Sequence, residues 1–237
     1  MKAEVLMSLP TFVLVHGGWG GEWCWRELTA VLDSRGVEWR SLDLPSSRTS
    51  ASPDTALAHD AQAVADAARD AGPVVLVGHS YGGCVISEAA PLINELRGLV
   101  YVAALVPELG ESATEASRVL KVRTKLDDAI TLDGEFLRLR REVAGEALYQ
   151  DCGEQLTQWA LEQLSTQTLA SFRSSRTAPD QAVPRRYIAC SEDNAIDPST
   201  QAIMASRCSE EVVLASGHSP FFSHPNTLAD LITAPLS

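Results

Sequence analysis

The stretch that decides the fold is Val74-Val-Leu-Val-Gly78-His79-Ser80-Tyr81-Gly82-Gly83. A short, continuous apolar run rich in valine suits a strand buried on both faces, the condition of a parallel sheet. Residues 81–90 have the composition of a helix, and Pro91 closes it. Between the two lies Gly78-x-Ser80-x-Gly82, the pattern of a sharp strand-to-helix turn that lifts a serine above the sheet edge. The pattern is short and weak on its own, and the flanking strand and helix give it weight. The alternative is a plain glycine-rich turn with no chemistry.

The same alternation extends in both directions. Residues 11–16 form a second buried-strand run, and Gly17-Gly18 stop it. Helical spacing follows over residues 23–34, then a strand at 37–42 and a polar serine-rich loop at 45–53. Residues 54–71 are alanine-rich, a good helix by propensity. A fourth strand is expected at 99–104. Residues 186–190 and 211–215 resume the strand pattern, with a helix at 198–208 between them and a terminal helix after Pro220. Strand and helix in alternation imply a parallel sheet covered on both faces.

From 107 to 184 no strand-like run is visible, while Leu156, Trp159, Ala160 and Leu164 recur at helical spacing. The expectation is an α/β core made of residues 1–106 and 185–237. A helical cap, residues 107–184, is inserted after the fourth strand within the same domain.

Composition removes several classes. The 237 residues suit one sizeable domain. A net charge of −12 repels phosphate backbones, which argues against nucleic acid. Residues 1–10 lack the apolar region and cleavage site of a signal peptide, and no apolar run is long enough for a bilayer. Five widely spaced cysteines fit neither a disulfide framework nor a zinc site. They read as reduced, small apolar residues of a cytoplasmic protein. No metal cluster and no nucleotide loop is visible, so no cofactor is expected.

A serine hydroxyl needs a base to take its proton. In this architecture the chain order is serine, acid, histidine. His218, in Ser216-Gly-His-Ser219 just past the last strand, is the expected base. His16, His59, His79 and His224 are weaker by position. Asp193, directly after the strand at 186–190, is the expected acid. Asp197 precedes Pro198 and reads better as a helix cap. Glu192, Glu108 and Glu111 are lesser alternatives. The backbone amides of Gly18 and Tyr81 are the expected oxyanion donors. Trp19, Trp159 and Phe221 are the expected pocket residues, drawn from a group that includes Tyr81, Phe136, Phe172 and Phe222.

The chain resembles the α/β-hydrolase superfamily, specifically the plant methylesterase and hydroxynitrile lyase group and its bacterial esterase relatives. The likeness runs nearly end to end. It rests on FVLVHGGWGGEWCW at 12–25, GHSYGG at 78–83, DCGEQLTQWAL at 151–161, YIACSEDNAIDP at 187–198 and GHSPFFSHP at 217–225. The resemblance implies the α/β-hydrolase fold with a six-stranded, mainly parallel sheet and a compact helical cap. It also implies cofactor-free esterase activity, with the triad on Ser80, Asp193 and His218 and the oxyanion donors on Gly18 and Tyr81. Cyanide-releasing members resemble one another in a Thr after the first-strand His and a Lys after the catalytic His. Here Gly17 and Ser219 stand at those places.

The expected activity is hydrolysis of small to medium apolar carboxylic esters through an acyl-enzyme. Hydroxynitrile lyase or acyltransferase chemistry on the same residues is one alternative. A non-catalytic receptor for a small ligand is another. The expected partner is a small ester, with neither nucleic acid nor membrane, and a homodimer is an allowed state.

Overall fold

A computed structural model describes residues 9–236. The reading of the N-terminal residues as lacking a signal peptide falls largely on 1–8, outside the described residues. Six strands form one parallel sheet: β1 (Thr11–Val15), β2 (Trp39–Ser41), β3 (Val74–His79), β4 (Leu96–Val102), β8 (Arg185–Cys190) and β9 (Glu210–Leu214). Their spatial order is β2-β1-β3-β4-β8-β9. The sheet reading is therefore correct in number and direction.

Alternate residues of each strand feed opposite faces, as the two-residue period requires. Val13, Val15, Leu76, Leu99 and Tyr101 pack under α2 (Leu57–Ala68), α3 (Gly82–Ala89) and α9 (Pro198–Ala205). Leu14, Val75, Val77, Val100 and Val102 pack under α1 (Arg26–Ser34), α10 (Pro220–Ser223) and α11 (Pro225–Thr233). Both faces are buried, which is why β1 and β3 read as unbroken apolar runs.

The inserted segment corrects one expectation. It carries α4 (Ala113–Ala116), α5 (Lys125–Ala129), α6 (Arg141–Leu148), α7 (Glu154–Gln163) and α8 (Leu169–Arg173). It also holds a three-stranded antiparallel sheet of β5 (Ile130–Asp133), β6 (Phe136–Leu139) and β7 (Gln167–Thr168). The cap is thus not purely helical. Asp133 pairs with Phe136 across a two-residue turn, with Gly134 at φ 59°. Glycine at the first of two central residues, between short alternating runs, is a hairpin signal. It was masked because β5 and β6 are short and carry charges on an exposed face.

Among the described residues no helix is long and apolar enough to cross a membrane. All five cysteines are free.

Candidate active site

Parallel strands align their carboxyl ends, and the loops leaving those ends meet at one edge of the sheet. Val15 pairs with Gly78 and His79 with Val102, so residues 16–20 and Ser80 leave the sheet side by side. Ser80 has φ 54°, the left-handed region that a β-carbon disfavours. Such strain costs roughly 1–3 kcal/mol and persists only where the surroundings impose it. Here they do. A β-carbon on Gly78 would lie 2.6 Å from the Gly82 carbonyl, and one on Gly82 would lie 2.4 Å from the Val15 carbonyl. Glycine at both positions lets α3 press against the sheet and forces the bend at Ser80.

His218 and Asp193 meet behind this bend. The His218 Nδ1–H donates to Asp193 Oδ2 at 2.7 Å. The same carboxylate accepts the amides of Ala195 (2.7 Å) and Ile196 (2.9 Å) and the Gln201 Nε2–H (2.9 Å). Four donors thus fix the Asp193 carboxylate, and a donor at Nδ1 leaves the His218 Nε2 lone pair as the free end of the ring. Ser80 and His218 line one cavity of about 30 Å³, together with Gly18, Trp19, Leu148 and Phe221. Ser80, Trp19 and Tyr81 also line a second cavity of about 240 Å³, with Leu105, Leu169 and Phe172. The serine stands between a small and a large compartment.

Among the described residues no acceptor takes the backbone amide of Gly18 or of Tyr81. Gly18 lines the same cavity as Ser80, and Tyr81 follows Ser80 in the chain. Asp197 accepts from the Ser199 amide at 2.9 Å and caps α9, the role its Asp-Pro context suggested. Glu192 and Glu108 are exposed, and Glu111 is engaged by Arg207.

Trp159 is a correction. It lines neither Ser80 cavity. It packs edge-on against Trp23 at 5.6 Å, under the Arg26 guanidinium at 4.5 Å. Its helical spacing reported an apolar stripe but not which neighbour the stripe meets. Trp19 and Phe221 do line the site, and Phe172 stacks on Tyr81 at 4.9 Å.

Two further histidines are structural. The His16 Nδ1–H donates to the Gly17 carbonyl at 2.8 Å, while Nε2 accepts the Leu44 amide at 3.0 Å. The His79 Nε2–H donates to the His218 carbonyl at 2.9 Å and so holds the loop that carries His218. Burial lowers His16 to about 4. Burial, then the neighbouring His218, lowers His79 well below the ordinary range.

Both rings are neutral when folded, whereas the unfolded chain protonates them below about pH 6.5. Their stabilisation is full above that pH and is lost as pH falls through the folded-state values, about 4 for His16. For His16 the total is about 3 kcal/mol. Asp60 works with the opposite sign, because burial raises its carboxyl. The wild type is therefore compared with His16→Gln, which cannot titrate. Denaturant unfolding is expected to show a steeper loss from pH 7 to 4.5 in the wild type. Parallel curves would remove His16 as the cause.

The site thus holds a serine at a strained strand-to-helix turn and, in the wall of the same cavity, an imidazole paired with a carboxylate. The sequence profile of the alpha/beta hydrolase family matches residues 12–231, and the chain belongs to that family. It is 29% identical to methylesterase 7 of Arabidopsis thaliana, over 93% of this chain and 94% of that one. It is 27% identical to a pyrethroid hydrolase of Sphingobium wenxiniae, over 95% and 87%. The crystal structure of a pyrethroid hydrolase from Sphingobium faniae superposes with a TM-score of 0.81 at 26% identity, over 95% and 98%.

Proposed function

We propose that this protein hydrolyses carboxylic esters of small alcohols, with Ser80 as nucleophile, His218 as base and Asp193 orienting the imidazole. At the coarser level the chain is a carboxylic ester hydrolase, and it is similar to a methylesterase and to a pyrethroid hydrolase. The observation that carries the finer reading is the position of Ser80 between two cavities of unequal size, with His218 in the wall of the smaller.

His218 Nε2 takes the Ser80 proton as Oγ attacks the ester carbonyl. The Gly18 and Tyr81 amides receive the oxyanion. His218 then protonates the leaving alkoxide, which must therefore depart on its side. That side is the small cavity, so the alcohol is small. The acyl group occupies the larger, mostly apolar cavity. Water enters where the alcohol left and repeats the sequence on the acyl-enzyme.

The lyase alternative is weakened by geometry. A β-carbon at Gly17 would lie 2.8 Å from the Ser80 β-carbon and 3.0 Å from His79 Nδ1, so no threonine fits there without repacking. No lysine or arginine lines the small cavity to hold a departing cyanide.

Methyl, propyl and benzyl esters of one acid test the reading. kcat/KM is expected to fall by about 10-fold or more from methyl to benzyl, since misfit in a hydrophobic pocket costs about 1–3 kcal/mol. Leu148→Ala, which widens the small cavity, is expected to narrow the gap. Equal rates across the series would overturn the assignment of the alcohol to this cavity. No hydrolysis of any ester would overturn the esterase reading itself.

A further inference from the structure

One buried polar chain links the two halves of the proposed oxyanion site through the cap. Gln167 opens β7 and is fully buried, 148 residues from Trp19 in sequence. Its Oε1 accepts the Trp19 amide at 3.2 Å and the Ser47 hydroxyl at 2.6 Å. Its Nε2 donates to Ser46 Oγ at 2.7 Å and to Ser171 Oγ at 2.6 Å. The Ser46 hydroxyl in turn donates to Asp60 Oδ2 at 2.5 Å, and the same oxygen accepts the Tyr81 hydroxyl at 2.8 Å. The Ser46 amide completes the chain on Asp60 Oδ1 at 3.0 Å.

The direction of each bond is forced. The Trp19 amide can only donate, so the carboxamide oxygen must face it. Asp60 meets three donors, so the Ser46 proton points to Asp60 and leaves Ser46 Oγ to accept from Gln167. A flipped carboxamide would set N–H against N–H at Trp19. The cap grips Trp19 at two further points. Its carbonyl accepts the Ser165 amide at 2.9 Å, and its indole N–H donates to the Leu137 carbonyl at 3.0 Å. Trp19 holds φ 59°, a conformation that tryptophan does not adopt without such restraint.

We infer that Gln167 is a positioning residue of the oxyanion site. Through Trp19 it sets the Gly18 amide, and through Ser46 and Asp60 it ties that loop to Tyr81. The inference rests on the proposed acyl transfer at Ser80. It makes the cap part of the catalytic geometry, beyond its part in enclosing the substrate.

Gln167→Met keeps the length of the side chain and removes all four hydrogen bonds. On a methyl ester, kcat is expected to fall about 10- to 100-fold with KM within about 2-fold. A donor displaced by a fraction of an ångström loses less than one deleted outright, which costs about 10²–10³. Ser47→Ala cuts one bond to the same carboxamide and spares the Trp19 amide, so kcat is expected to stay within about 3-fold. Tyr81→Phe breaks the far end of the chain, removes a single hydroxyl and decides the matter should Gln167→Met fail to fold. Its kcat is expected to drop several-fold at unchanged KM. Unchanged kcat in either Gln167→Met or Tyr81→Phe would overturn the inference, as would equal losses in Gln167→Met and Ser47→Ala. Ser80→Ala on the same ester separates the two levels. If it stays active, the acyl-transfer reading falls. If it is dead while Gln167→Met matches the wild type, only the role of Gln167 falls.

Discussion

Ser80→Ala is expected to lower ester turnover by about 10⁴-fold or more while leaving the fold in place. The hydroxyl oxygen is the only heavy atom that the substitution removes. What holds residue 80 in its bend is backbone. Its amide donates to the Val102 carbonyl at 3.2 Å, and its carbonyl accepts the amides of Gly83 and Leu105, each at 3.1 Å. Alanine keeps all three bonds and the same φ penalty, so the thermal midpoint should move little. Steady-state hydrolysis of a methyl ester, read beside the unfolding curve, makes the check. Loss of activity together with loss of the fold would say nothing of chemistry. Loss of activity at an unchanged midpoint assigns the role to the hydroxyl. Turnover close to wild type would remove Ser80 as nucleophile and with it the acyl-enzyme.

Much of this architecture is legible in the sequence because the physics is local. β3 and the bend at Ser80 follow from four consecutive buried residues and from glycines that let two backbones meet. Asp193 and His218 are legible for a topological reason, since both follow strands that share a carboxyl edge with β3. The cap is not legible in the same way. β5 and β6 have exposed, charged faces, and burial therefore leaves little periodic trace in them. Trp159 shows the limit of a helical stripe. The stripe is real, but its partners are Trp23 and Arg26, not either cavity at Ser80. Gln167 is the hardest case. A glutamine beside serines and threonines carries no pattern, and its meaning depends on Trp19, Ser46 and Asp60, which reach it only through the tertiary fold.

Asp193→Asn is expected to cost about 10⁴-fold in kcat/KM, close to the effect of a carboxylate-to-carboxamide change in the general serine–histidine–acid arrangement. The size follows from which donors face the side chain. The Ala195 and Ile196 amides occupy one oxygen, and the imidazole and Gln201 Nε2 occupy the other. Gln201 cannot turn to help, because its Oε1 holds the Cys190 amide and its Nε2 also serves the carbonyls of Cys190 and Ile196. An asparagine must therefore present an N–H to two backbone donors or to the imidazole. Facing the two amides is the worse choice, so the carboxamide nitrogen turns to His218 Nδ1. The ring then accepts at Nδ1 and carries its proton at Nε2, where Ser80 needs a base. The side chain keeps its shape and the ring keeps its place, so the loss is one of tautomer and not of packing. Asp197→Asn is the matched control. Asparagine caps a helix as well as aspartate does, so α9 should be unaffected and activity should stay within about 2-fold. Measured side by side at one pH above neutrality, the two variants should differ by several orders of magnitude. The reverse ranking would move the acid to Asp197, and equal modest losses would leave His218 without an orienting partner.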